Sequence, residues 1–233
     1  MDAASPQIIA DNYRRVQDRV AEAAQAAGRD ADEVKIVAVS KYVGIEETAA
    51  LFNAGAKLLG ESRPQQLWEK HDAHELQNAE WHLIGHLQRN KAARTAACAD
   101  LIHSVDSARL LKVINKAASQ SGNTSRVLLE VNTSGDAEKH GLTAEQTREL
   151  VGSLVNYPHV EVQGLMTMAA REGGVDVARK NFAALRELRG KLFAEFRRVK
   201  LPELSMGMTG DFETAIAEGA TLVRIGSALF EGL

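Results

Sequence analysis

Eight short apolar runs recur along this chain, each followed by a stretch with helical spacing or a tight turn, and that alternation constrains the architecture more than any single residue does. The runs cover residues 34–40, 57–60, 80–85, 101–104, 126–132, 160–166, 203–205 and 222–225. Amphipathic stretches lie between them at 45–54, 64–73, 88–97, 107–121, 144–156, 177–199 and 211–218. Strands that are apolar almost without interruption are buried on both faces, which calls for parallel pairing beneath a layer of helices. Eight such units predict an α/β protein of the (β/α)8 TIM-barrel class, with residues 1–233 as a single domain. An extra helix precedes the first unit. Ser5-Pro6 supplies its cap and first turn, Ile9, Val16 and Val20 recur at helical spacing, and Gly28 closes it. A doubly wound open sheet would carry its glycine-rich turn after an early strand, whereas here Gly44 stands alone and the glycine-rich turns come last.

Composition narrows the function classes. A formal net charge of -3 provides no basic balance with which to neutralise nucleic-acid phosphates. The short basic stretch Gln88-Arg89-Asn90-Lys91 with Arg94 reads as a solvated helix start. One cysteine, Cys98, cannot form an internal disulfide, and no signal pattern or membrane-length apolar run is present. A cytoplasmic protein without nucleic-acid or membrane partners is the expectation.

Chemistry concentrates at the two ends of the strand series. Counting by twos through the first run places Val37, Val39 and Lys41 on one face, so the lysine is expected to point where the core valines point. A lysine aimed inward is costly to keep charged, and desolvation frees its amine to attack an aldehyde; a lysine snorkelling at the strand mouth is the competing reading. After the seventh strand comes Ser205-Met206-Gly207-Met208-Thr209-Gly210-Asp211, and after the eighth Arg224-Ile225-Gly226-Ser227-Ala228-Leu229-Phe230. Glycines, hydroxyls and helix starts at these two strand ends of a barrel are where phosphate is commonly held. Arg224 shares a face with Leu222 and points inward, towards either a carboxylate such as Glu61 or Glu130 or a cofactor ring nitrogen. The first and eighth strands are neighbours in a closed barrel. A lysine, an arginine and a phosphate cradle meeting there describe a site for pyridoxal 5′-phosphate.

The chain resembles the pyridoxal phosphate homeostasis protein family, whose fold is similar to the N-terminal barrel of alanine racemase. The resemblance rests on Val37-Ala38-Val39-Ser40-Lys41, Gly60-Glu61, the segment from Glu80 to Lys91 (EWHLIGHLQRNK), Val131-Asn132-Thr133-Ser134-Gly135, Lys139-His140-Gly141, Gly164-Leu165-Met166-Thr167, Leu204-Ser205-Met206-Gly207-Met208 and the segment from Arg224 to Phe230. It implies that Lys41 carries the cofactor as an internal aldimine and that Ser205, Gly207, Gly226 and Ser227 hold its phosphate. It implies further that Arg224 faces the ring nitrogen and Met166 the ring face, with Met208 counted among the cofactor-binding residues. Two positions depart from the family pattern. Ser62 stands where asparagine is usual, which puts a side-chain amide contact in doubt, and Gly210 replaces a bulkier residue, so a looser turn is expected.

An arginine opposite the ring nitrogen disfavours its protonation and weakens the electron sink. A racemase needs a second acid/base group facing the lysine, and Tyr13, Tyr42 and Tyr157 are poorly placed for that role. His82, His86 and His140 are weaker candidates still, and a His82/His86 metal pair lacks one-face spacing. The racemases draw their tyrosine from a second domain, and the chain ends at Leu233 just after its eighth strand. The resulting expectation is a monomeric carrier, without catalysis of its own, that stores the cofactor and delivers it to apo-enzymes. The alternatives are an amino-acid racemase and a lysine-imine aldolase acting on sugar phosphates.

Overall fold

The computed structural model describes residues 5–136, 140–170 and 172–233. Its strands are β1 (Lys35–Val39), β2 (Leu58–Glu61), β3 (Glu80–Leu83), β4 (Leu101–Val105), β5 (Ser125–Glu130), β6 (Val160–Met166), β7 (Glu203–Met208) and β8 (Leu222–Ile225). Helices α1 (Ser5–Ala26), α2 (Ile45–Asn53), α3 (Pro64–His71), α4 (Ala92–Cys98), α5 (Ala108–Ser121), α6 (Ala144–Gly152), α7 (Gly174–Glu195) and α8 (Phe212–Ala217) accompany them. All strand pairs are parallel and follow sequence order, and β8 pairs back onto β1 from Lys35↔Leu222 to Ala38↔Ile225. The eight-stranded barrel and its extra helix are therefore both present. Among the described residues no helix is long and apolar enough to cross a membrane.

Period-two alternation sorts the strand residues into two cores. Val37, Leu101, Leu128, Met166 and Leu222 fill the barrel interior, with Leu58 and Ile84 packed against them. Their neighbours Ala38, Ile102, Leu129, Leu165 and Val223 point outward into the layer beneath the helices. At Gly164 the β6 backbone comes so close to β7 that a Cβ would stand 1.9 Å from the Glu203 carbonyl oxygen, so no larger residue fits that register.

After β8 the chain makes only a 3-10 turn, Ser227–Leu229, and α1 takes the outer position there. The helix buries Ile9, Tyr13, Val16, Val20 and Ala24 and lies against α2 and α8. Its Asn12 side-chain amide donates to the carbonyls of Leu229 (3.3 Å) and Glu231 (2.9 Å), tying the helix to the last turn. The extra helix thus covers the line along which the barrel closes.

Two element boundaries differ from expectation in ways that matter for the site. β1 stops at Val39, two residues short of Lys41, because Val43 N–H bonds the Ser40 carbonyl (3.1 Å) and turns the chain. β7 runs on to Met208, so the first part of the expected glycine turn is strand.

Candidate functional site

Lys41 lies in the turn that follows β1, half-buried, with Nζ 4.8 Å from the centroid of the exposed Tyr42 ring. Lys41 is thus a turn residue and not the strand residue expected, and its half-burial fits the competing reading of a lysine at the strand mouth. The turn itself is anchored from below. Ser40 is fully buried, its hydroxyl donates to Glu61 Oε1 (2.9 Å), and its carbonyl accepts from Lys70 Nζ (2.8 Å). Lys70 also pairs with Glu61, and both are buried. An ion pair spanning the ends of β1 and β2 thus fixes the backbone immediately before the lysine. Glu61 is thereby committed to Lys70 and is not a partner of Arg224.

Arg224 points into the barrel from β8 and is buried. One terminal nitrogen donates to Ser205 Oγ and the other to the Thr167 carbonyl (2.9 Å). Its acceptors are therefore a hydroxyl and a carbonyl, with Glu130 and Asp211 acting on it only through space. Burial lowers its pKa to about 10, against the opposing pull of Asp211 and Glu130, so it stays charged at neutral pH.

From Ser205 a chain of polar side chains crosses the interior: Ser205 Oγ to His103 Nδ1 (2.8 Å), His103 Nε2 to His82 Nδ1 (2.8 Å), and His82 Nε2 to Glu80 Oε1 (3.4 Å). Burial, His82 and Arg224 all hold His103 well below its usual value, so it is neutral. The ionised Glu80 can only accept, and its carboxyl is held below the usual range chiefly by the His82 hydrogen bond. His82 Nε2 therefore carries a proton and donates to Glu80. Ser205 is fully buried in this chain, so it orients Arg224 and offers no hydroxyl to the mouth, contrary to its expected place on the phosphate. Met166 is likewise fully buried in the interior cluster, below the mouth.

The two turns expected to grip a phosphate do meet. Gly226 N–H lies 3.4 Å from Thr209 Oγ1, Ser227 is exposed beside it, and a Cβ on Gly226 would stand 3.4 Å from Val39 Cβ. Thr209, Gly226 and Ser227 therefore form a cluster of small donors against the end of β1. Gly207 sits elsewhere: its φ of +91° and the 2.6 Å that would separate its Cβ from Ala215 Cβ commit it to packing on α8. Met208 is exposed, and its N–H donates to Asp211 Oδ1 (2.6 Å). Asp211 N–H returns a bond to the Met208 carbonyl (3.0 Å), so the turn is tied at both ends and Gly210 does not loosen it. Thr209 was not singled out from sequence, although its hydroxyl after a glycine turn was a usable signal.

Glu130 ends β5 on the interior side, buried, and its carboxyl is pushed up to about 7 by burial and by Asp106, against His140 and Arg224. A carboxyl with a folded value above its unfolded one binds more protons when folded, so its contribution to stability falls as pH rises from about 4.5 through 7. The whole effect is roughly 3 kcal/mol. Glu130→Gln is neutral throughout and is expected to raise the melting temperature at pH 8.5 and to change it far less at pH 5. Equal shifts at the two pH values would rule out a proton on Glu130.

A pyridoxal 5′-phosphate molecule fits these residues. The buried Arg224 guanidinium is fixed by two acceptors, Thr209, Gly226 and the exposed Ser227 bring small polar groups together with the Gly226 N–H donating to Thr209 Oγ1, and Lys41 brings an amine to the neighbouring strand end. Tyr13 is buried on α1 and Tyr157 half-buried under the outer layer, so neither reaches the mouth. His82 faces the interior while His86 is exposed at the rim, and the two do not form a pair. Lys139 lies outside the described residues.

Known proteins match the chain along most of its length. Residues 7–233 match the family model for the alanine racemase N-terminal domain. The pyridoxal phosphate homeostasis protein of Aquifex aeolicus is 41% identical over 220 residues, covering 94% of this chain and 96% of that protein. The solved structure of PipY from Synechococcus elongatus with PLP bound is 32% identical, with a TM-score of 0.81 over 91% of this chain and 99% of that one. An alanine racemase from Clostridium difficile has the same fold, with a TM-score of 0.74 at 15% identity over 97% of this chain and 59% of the racemase.

Proposed function

The chain belongs to the pyridoxal phosphate homeostasis protein family, on the alanine racemase N-terminal domain fold, and from that premise we propose that it binds pyridoxal 5′-phosphate covalently through Lys41 and holds it for delivery to apo-enzymes. The cofactor supplies a reactive aldehyde. Lys41 provides the amine that takes it, at the strand end held by Ser40, Glu61 and Lys70. Thr209, Gly226 and Ser227 receive the phosphate, with Gly207 and Met208 shaping the turn that carries Thr209. Arg224 faces the ring nitrogen, Ser205 and Thr167 keep it there, and Met166 supports the floor beneath.

The observation that carries this reading is the buried, doubly held Arg224 beside the β1 end. A group that stays charged at neutral pH and only donates keeps a proton off the ring nitrogen. That weakens the electron sink and disfavours transamination; holding over racemisation is supported instead by the placement of Tyr13 and Tyr157, neither of which reaches the mouth to face Lys41. The test is a visible spectrum of the purified protein supplied with pyridoxal 5′-phosphate, before and after borohydride, followed by peptide mapping. A yellow band that collapses on reduction, with the pyridoxyl group on Lys41, is the expected result. A protein that remains colourless and unlabelled would turn the assignment towards a lysine-imine aldolase.

A further inference from the structure

His86 and His140, each in a segment that carries the family resemblance, play no part in the cofactor site, yet they converge in space. We propose that His86, Asp106 and His140 form a binding site for a divalent transition-metal ion of the zinc class at the rim of the barrel. Asp106 directly follows β4, His86 lies in the segment after β3, and His140 lies in the segment after β5. Three consecutive strand ends thus deliver one donor each, and these donor atoms all lie within 4.8 Å of one another. His86 Nδ1 is already 3.3 Å from Asp106 Oδ2, and the two imidazoles lie 4.5 Å apart between centroids, inclined by 21°.

Ligands on a tetrahedral zinc ion at 2.0–2.2 Å stand about 3.5 Å from one another. Closing the widest gap takes a movement of roughly 1 Å, and both histidines are exposed and free to turn by that much. A cleft of about 860 Å³ opens over the three donors and leaves the remaining coordination positions to water. Its walls also include Arg89 and Arg109. That positive charge works against ions held by charge alone, such as calcium or magnesium, and two neutral imidazoles with one carboxylate favour an ion that bonds to nitrogen. His82 is excluded from the set because its ring is spent on His103 inside the barrel. Bound metal would cross-link three rim loops, on the far side of the mouth from β1, so the site stands or falls independently of the cofactor.

The test is calorimetric titration of Zn2+ into the cofactor-free chain, since pyridoxal phosphate itself chelates divalent ions. One equivalent is expected to bind, with affinity falling by about tenfold or more in His86→Ala and in His140→Ala. The exposed His74→Ala serves as the control that leaves affinity unchanged, and circular dichroism confirms that each variant is folded. Both rim histidines are exposed, so loss of fold is not expected in their variants. No heat at millimolar Zn2+, or an affinity that either rim variant leaves intact, overturns the proposal.

Discussion

Lys41→Ala is expected to fold as the parent does and to retain no pyridoxyl label after borohydride reduction. The side chain belongs to the turn that follows β1, half-buried, with its ammonium over an exposed tyrosine ring. A cation–π contact at such an exposed position is worth about 0.5–1 kcal/mol, so the melting temperature should fall by only a few degrees. Attachment, in contrast, should vanish, because the change removes the amine proposed to form the bond, and the nearby Lys70 ammonium is tied to Glu61 and Ser40. Non-covalent affinity should persist, since Arg224, Thr209, Gly226 and Ser227 are untouched. Reduction, digestion and mass mapping measure the label, and thermal unfolding measures the fold. A label that persists on another lysine would displace Lys41 from the assignment, while a label lost together with the fold would be resolved by Lys41→Met, which keeps the stem.

Lys70→Met should be the most destabilising single change near the site, by about 3–5 kcal/mol. Lys70 and Glu61 are both buried, and Glu61 Oε2 has no hydrogen-bond partner. Removing the ammonium leaves a carboxylate with one remaining donor, the Ser40 hydroxyl, in an interior that solvates it poorly. The Ser40 carbonyl loses a donor as well. The denaturant midpoint should drop sharply, and the turn bearing Lys41 should exchange its amide hydrogens faster. Glu61→Leu added to Lys70→Met should recover much of the loss, because an apolar pair carries no desolvation penalty. A single-variant loss below about 1 kcal/mol would mean that the pair is hydrated and does not anchor the turn.

What could be read from the sequence follows from what is local. Nearly unbroken apolar runs such as 222–225, buried throughout, report burial on both faces directly, so strand count, parallel pairing and barrel closure were all legible. Arg224 was correctly placed inward because β8 is regular through Leu222 and Arg224. Lys41 was not, because extrapolating a period of two past Val39 assumes a strand that the Ser40–Val43 turn ends. Ser205 was read as a free hydroxyl because nothing in residues 203–211 announces His103, which arrives from β4, 102 residues earlier in the chain. Long-range polar pairing of this kind, like Lys70 with Glu61, leaves no periodic trace; only the bare presence of a charged or imidazole side chain in an apolar run hints at it. Thr209 escaped for the same reason, since its partner Gly226 belongs to the next unit.

Because β1 closes against β8, the proposed nucleophile is translated well before its proposed pocket. A nascent chain carries Lys41 through most of its synthesis without Arg224, Gly226 or Ser227, and so without anything to select one aldehyde over another. On the proposed function, cofactor capture then waits until β8 has joined β1, and loading reports on closure. Colour developing after release of the polypeptide would time the joining of the first strand to the last, as a clock for the slowest, most non-local contact in the molecule.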